Sequence, residues 1–429
     1  MRHPVPWAVA MLAAAVAAIG AIGSDALWLV PLGRIVAHGH LPGSIPSAAA
    51  PTGAWHDVPA GAELVFWALY RVLGGLRGLV VAQSVAAAVA FAALAVGLRR
   101  QGRDGAAVAV AIVVLIGAIP AVVVVGVQLF SLALFSVLLL FLGSEPRRLW
   151  LAIPLIAVWA NLHGGVLTGL GLLACYVVLH RPRAIPVLAA SMVAVFANPA
   201  LWHTPSYYRA VFGSAVAREG KGMWAPLATT PFDLVLVVAA VVLIAAIARG
   251  RPRVHLWEAV ALVGLAAGTV HASRTGAWFL FVAAYPAARG LRLGSPRPRL
   301  VAAAAVLLAL LAIALLAKGP PDPGSTRLAR LAAHDGRTVL ADPILGQQVA
   351  LAGGRVWVDN PVDAFDRSDQ DLYLDWLDGR SRDAVSHAGL VLVIPTSKAG
   401  RRAAADPRLR RIAVDANAVL YRVIRGAGS

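Results

Sequence analysis

Asp25 directly follows the first apolar run of the chain, Val5 to Gly23. It is one of eight acidic residues in the first three quarters of the sequence, with Asp57, Glu63, Asp104, Glu145, Glu219, Asp233 and Glu258. A carboxylate beside a low-dielectric slab is costly unless it has a partner or a task. One task suits it: taking the proton from a hydroxyl while that oxygen forms a new bond. A group transfer of this kind also needs cations for a departing phosphate. Arg274, supported by Lys221, Arg218 or His203, has the charge for that, and one such pair about 4 Å apart is worth roughly 4 kcal/mol at an effective dielectric near 20, before desolvation.

Each of these residues also has a plainer explanation. Asp25 could cap a helix beginning at Ala26. His56 and Asp57 could form a solvated turn before Pro59, and Arg274 could snorkel at an interface. Asn161 and His163, ahead of Gly164 and Gly165, could satisfy backbone where two helices meet. His38, His40 and His56 could bind a divalent metal with Asp57, although their spacing matches no defined ligand pattern. Asp363, Asp366, Asp369 and Asp371 lack the glycine and terminal glutamate of a calcium loop and read as a solvated acidic face.

The elements that must position these residues lie in a membrane. Of 429 residues 59% are hydrophobic and only 14% charged, with a mean hydropathy of +0.74, whereas a soluble domain carries roughly a quarter charged residues. A net charge of +17 could suggest nucleic acid, but the arginines sit in short clusters between apolar runs: Arg99, Arg100 and Arg103; Arg147 and Arg148; Arg181 and Arg183; Arg249, Arg251 and Arg253; Arg289, Arg292, Arg297 and Arg299. That is the pattern of cytoplasmic loops, and it excludes a nucleic-acid footprint. Cys175, the only cysteine, leaves no disulfide framework within one chain.

Placing every cluster inside gives about eleven transmembrane helices, near 5 to 23, 78 to 98, 106 to 124, 127 to 143, 149 to 162, 165 to 180, 185 to 198, 232 to 248, 256 to 272, 275 to 288 and 300 to 317. The amino terminus is then cytoplasmic and the carboxy-terminal tail outside. Met1 to Gly23 could instead be a signal peptide, with Arg2 and His3 ahead of its apolar core. Two outer loops interrupt this membrane domain of residues 1–317, at 24–77 and 199–231. The first begins with Trp28, Leu32, Ile35 and Val36 on one helical face, as an interfacial helix would, and its far end carries Phe66, Trp67 and Tyr70. A linker at 318–324 leads to a polar segment, 325–429, read as a small soluble α/β domain outside the membrane. Its expected strands lie at 338–340, 356–358, 390–394, 411–414 and 419–423, alternating with helices near 325–333, 344–352 and 368–377.

Ionisable side chains of the helical region gather at the outer rim and leave the midplane almost empty. A transporter or lipid flippase, the alternative function class, would place such groups at mid-depth. A non-catalytic scaffold on the same helices is a third reading.

An acidic residue directly after the first span, followed by an interfacial helix in a long outer loop, resembles the GT-C class of membrane glycosyltransferases. Asp25 to Trp28, His38-Gly-His-Leu-Pro42 and Trp55-His-Asp-Val-Pro59 are similar to the first loop of a bacterial GT-C-like family. Trp159-Ala-Asn-Leu-His-Gly-Gly165, Asn198-Pro199, Arg274 and Gly354-Arg-Val-Trp-Val-Asp-Asn-Pro-Val-Asp363 resemble its later signatures. Leu29, Val30 and Pro31 follow Trp28 where the family carries a second acidic or aromatic residue and a histidine. The resemblance implies a GT-C-like fold in the plasma membrane of a bacterial cell envelope. It also implies a polyprenyl-phosphate sugar donor, with Asp25 as base and a lipid, glycan or protein as acceptor. Asp57 and His56 would shape the acceptor side or hold an optional divalent metal. Arg274, Lys221 and Glu219 would surround the lipid phosphate and sugar, with Asn161 and His163 near the substrate.

Overall fold

Long runs of Ala, Val and Leu, broken by Gly and Pro, fold as helices. A computed structural model describes residues 4–52, 55–143, 146–228 and 230–424; Arg2, His3 and Glu145 lie outside them. Apolar helices occupy Pro4–Ala17, Leu76–Gln101, Asp104–Gly117, Gln128–Leu142, Ala152–Ala160, Val166–His180, Ile185–Ala194, Pro231–Gly250, Leu256–His271, Gly276–Gly290 and Pro298–Lys318. Among the described residues, three of these are by themselves long and apolar enough to cross a bilayer: Leu76–Gln101, Pro231–Gly250 and Pro298–Lys318. Several of the others are shortened by recognisable breakers. The helix that ends at Gly117 resumes as Ile119–Val123 with Pro120 in its first turn, and a 3-10 stretch, Pro146–Leu151, leads into Ala152–Ala160.

The chain divides into two compact units. The first takes Met1–Ala21, Leu69–Leu201 and Gly220–Pro320, and holds the apolar helices. Leu76–Gln101 is its central element, with 61% of its apolar window buried against 11% for Pro298–Lys318, most of whose surface the described residues leave uncovered. Pro4–Ala17 packs between these two helices. Close approach depends on glycine: a Cβ at Gly97 would collide with the Tyr285 hydroxyl. Polar groups at the helix ends are paired. The backbone N–H of Thr230 donates to Asp233 (2.8 Å) and that of His255 to Glu258 (2.9 Å), closing capping boxes. Glu258 also receives both Arg289 Nη atoms, at 2.5 and 3.0 Å, while Arg289 donates to Gln101 as well (2.5 Å). Three helices are thereby tied together at one end. Arg77 donates to the carbonyl of Ala317 (2.9 Å) at the last turn of Pro298–Lys318, where a cation is favoured.

The second unit takes Ile22–Ala68, Trp202–Glu219 and Pro321–Ser429. Its sheet has the order Val339–Ala341, Leu390–Val393, Val419–Val423, Leu409–Val414; the first pair is parallel and the others antiparallel. Helices Thr326–Asp335, Pro343–Leu351, Arg367–Leu377 and Lys398–Ala404 flank it. At one edge, the stretch at 355–357 bonds to Val339, and residues 47–50 of the first loop bond in turn to 356 and 357: Ala49 N–H donates to Val356 (2.7 Å) and Ala50 N–H to Trp357 (3.0 Å). The opposite edge strand, Leu409–Val414, has a register shift between Arg411 and Ala413 and exposes Arg410 and Arg411. One apolar core joins Leu32, Ile45, Ala50 and Trp55 of the loop to Leu340, Trp357, Tyr373 and Trp376 of the tail.

Candidate functional site

In the second unit, Asp25 lies in a four-residue helix, Ser24–Leu27, that runs through Trp28 into Leu29–Ala37. The cap position belongs to Gly23, so Asp25 stands inside the first turn rather than at the cap. Ala26 and Leu27 are fully buried, which fixes the backbone, while Asp25 itself is half-buried. Its Oδ1 accepts a hydrogen bond from the Asn360 side-chain amide at 3.2 Å. Asp363 of the same tail segment is pushed up to about 6, chiefly by burial and further by the Asp25 charge. Asp363 therefore does not belong to the solvated acidic face that the sequence suggests for it.

Asp57 and Glu63 are 6% and 0% exposed. Their carboxyl groups meet. Among the described residues no conventional donor reaches either one, so their hydrogen bond exists only while one of them keeps a proton. Burial pushes Asp57 up to about 6, and burial with the Asp57 charge pushes Glu63 well above the usual carboxylate range. Glu63 stands in the first turn of the Ala60–Val72 helix. The Leu29–Ala37 helix crosses that turn so closely that a Cβ at Gly33 would collide with the Glu63 carbonyl. This crossing sets the Glu63 turn against the Leu29–Ala37 helix.

His56 stacks on His203, with ring centroids 4.5 Å apart and planes 28° from parallel. His38 and His40 engage backbone carbonyls of their own segment, Arg34 at 2.6 Å and His38 at 3.1 Å. Among the described residues, no group of three His, Cys, Asp or Glu side chains could hold a metal ion. Glu219 pairs with Arg380 (3.4 Å), which also meets Asp375 (2.8 Å) and Asp378 (3.1 Å), an arrangement suited to locking Trp202–Glu219 onto the tail.

In the first unit, Ser131 sits between Trp159 and His163. Its hydroxyl accepts from the indole N–H (2.7 Å) and contacts His163 Nδ1 (2.5 Å). The Gly165 N–H also points at Nδ1, from 3.3 Å. Two donors on one ring nitrogen assign it as the acceptor, leaving the proton of a neutral imidazole on Nε2. His163 lies in the turn between two helices, where burial and then the nearby Arg274 charge push it down to about 3, the direction that keeps it neutral. Asn161 donates to the carbonyls of Ala157 (2.9 Å) and Ala197. That is the backbone-satisfying role its position before Gly164 allows. The Arg274 guanidinium lies over the Trp224 ring, 3.8 Å from its centroid. Lys221 is held between Gly220 and Gly222, whose φ values of +61° and +55° suit glycine.

The structure thus places Asp25, His56, Asp57 and Glu219 in the second unit, and Asn161, His163, Lys221 and Arg274 in the first. Sequence reasoning gave no role to Glu63, Ser131 or Asn360. A signal for Glu63 existed, since an acidic residue among apolar helix positions calls for a partner; Asn360 stood within the Gly354–Asp363 motif without a role of its own, and Ser131 had no signal beyond its polarity.

No family model and no curated protein matches the chain. Among solved structures it is similar to the crystal structure of ArnT from Cupriavidus metallidurans bound to undecaprenyl phosphate, with a TM-score of 0.56 and 13% sequence identity over 98% of each chain. The chain shares the fold of that structure. The match runs over nearly the full length of both chains. At 13% identity the likeness speaks for the fold alone.

Proposed function

We propose that the protein is an integral membrane glycosyltransferase that moves a sugar from a polyprenyl-phosphate donor to a lipid, glycan or protein hydroxyl at the outer face of the membrane. The observation that carries this reading is the full-length similarity to an enzyme crystallised with undecaprenyl phosphate. Asp25, a scarce carboxylate held by an amide donor, is a fitting complement to it. In the reaction the acceptor oxygen attacks the anomeric carbon, the bond from that carbon to the phosphate oxygen breaks, and the phosphate leaves on its lipid. Asp25 takes the acceptor proton, a step worth about two to four powers of ten. Arg274 and Lys221 meet the phosphate charge, with Arg274 held over the Trp224 ring. Neutral His163, whose Nδ1 is engaged by Ser131 and Gly165, offers its Nε2–H to substrate oxygen. His56 and Asp57 shape the acceptor side, and Asn161 and Glu219 serve by holding backbone and tail in place. The amino terminus is cytoplasmic and the tail extracytoplasmic in this reading.

The test is transfer of radiolabel from undecaprenyl-phosphate pentoses and hexoses into membranes containing the wild type or Asp25→Asn. Transfer by the wild type with a loss of at least about a hundredfold in the variant supports the reading. Equal incorporation by both removes Asp25 as base, and a wild type that transfers none of the sugars leaves the fold with another use.

A further inference from the structure

Asn360 is separated from Asp25 by almost the whole chain, yet its Nδ2 lies 3.2 Å from Asp25 Oδ1. Both ends of this contact are anchored. On one side Ala26 and Leu27 are fully buried, and their short helix packs against Pro343–Leu351. On the other, Asn360 stands between Asp359, 3% exposed, and the buried Ala364 and Phe365, while Val356 and Trp357 just before it are fixed in the sheet edge. Asn360 therefore has little freedom to follow a carboxylate that turns; instead it selects one rotation. A base must meet the proton it removes within hydrogen-bond reach, and small misplacements are expensive in rate. An amide is also a chemically suitable partner, because it donates to the ionised form of the carboxylate without adding a charge that would compete for it. The carboxyl of Asp363, whose own titration feels Asp25, lies on the same tail segment and marks the neighbourhood as one where a donor is needed.

We propose that Asn360 is a positioning residue for Asp25, its side-chain amide fixing the rotation of the carboxylate for proton removal from the acceptor. The inference rests on the reading of Asp25 as base. It assigns to the tail a direct part in setting up the chemistry.

The experiment uses the full chain in reconstituted membranes, radiolabelled undecaprenyl-phosphate pentoses and hexoses as donors, and thermal unfolding as a fold check. Asn360→Ala is expected to lower kcat by about tenfold or more, the equivalent of one hydrogen bond to a charged group, with KM for the lipid donor within about twofold of wild type. Asn360→Ser, which keeps a short donor, recovers part of kcat and serves as the second variant should the alanine protein fold poorly. Asn360→Asp places a like charge beside Asp25 and shifts the acidic limb of the kcat profile to higher pH. If Asp25→Asn is inactive while Asn360→Ala and Asn360→Ser both keep wild-type kcat, the positioning role is overturned and the base survives. Wild-type activity in Asp25→Asn removes the base and this inference with it, as does a wild type inactive with every donor. A rise in KM with kcat unchanged in Asn360→Ala overturns the positioning role in favour of substrate binding.

Discussion

Asp57 and Glu63 direct their carboxyl groups at one another, and burial raises the proton affinity of both. A group whose pKa rises on folding stabilises the folded state at low pH and ceases to do so as pH climbs through its folded value. For Asp57 that contribution is complete below about 4 and lost as pH rises through about 6, and Glu63, raised well above the usual carboxylate range, acts in the same direction. The melting temperature of the purified protein in detergent should therefore fall between pH 5 and pH 8. Glu63→Gln, which supplies a permanent amide donor to Asp57, should flatten that fall and melt higher than wild type at pH 8. Parallel melting curves for the two proteins across this range would show that the pair does not govern the pH response.

Gly33 lets two helices touch at the Glu63 carbonyl. Gly33→Ala must push them apart, because the obstacle is backbone rather than a flexible side chain. A cost of about 1–3 kcal/mol, typical of overpacking, is expected, together with loss of the Asp57–Glu63 contact. Denaturant titration measures the first, and a pH dependence of melting weaker than that of wild type reports the second.

Arg274→Lys keeps the charge but gives up the flat guanidinium that lies over Trp224. If Arg274 meets the donor phosphate, KM for the lipid donor should rise about tenfold in Arg274→Lys. In Trp224→Ala, which removes a contact of about 0.5–2 kcal/mol, it should rise a few-fold. Donor titrations that give wild-type KM for both variants would place Arg274 away from the phosphate.

Ser131→Ala strands the buried indole N–H of Trp159 and withdraws one of the two donors to His163 Nδ1. Loss of a buried partner costs about 1–3 kcal/mol. The variant should unfold at lower denaturant with an unchanged m-value, and Ser131→Thr, which restores a hydroxyl, should recover part of the loss. Equal midpoints for wild type and Ser131→Ala would mean that the indole finds another acceptor.

The helical part of this fold was legible because its signals are local. Apolar runs between arginine clusters fall where helices form, and the tail strands at 339–341, 390–393 and 419–423 lie on short apolar runs bounded by polar residues. What could not be read were partnerships between distant segments. Nothing in the Pro-, Gly- and Ala-rich stretch around Ala48 announces that it will extend a sheet through Val356, because backbone hydrogen bonding is blind to side-chain type. Asp363 read as one of four solvated acids because spacing along the chain cannot show that Asp25 lies beside it. Asp233 stood out in the sequence as one of eight scarce acids, and in the structure it accepts from the Thr230 N–H in a capping box. Asp25 and Asn360 were each visible as residues within motifs; their hydrogen bond belongs to the tertiary structure.

The shifted register and bare arginines of the Leu409–Val414 strand bear on how the protein lives among its copies. An open strand at the border of a sheet is a template on which the same strand of another copy can pair. A straight, uncharged border would invite sideways annealing into ribbons. Here the kink spoils the alignment and the cationic fringe repels its twin, so crowding can rise without the tails knitting together.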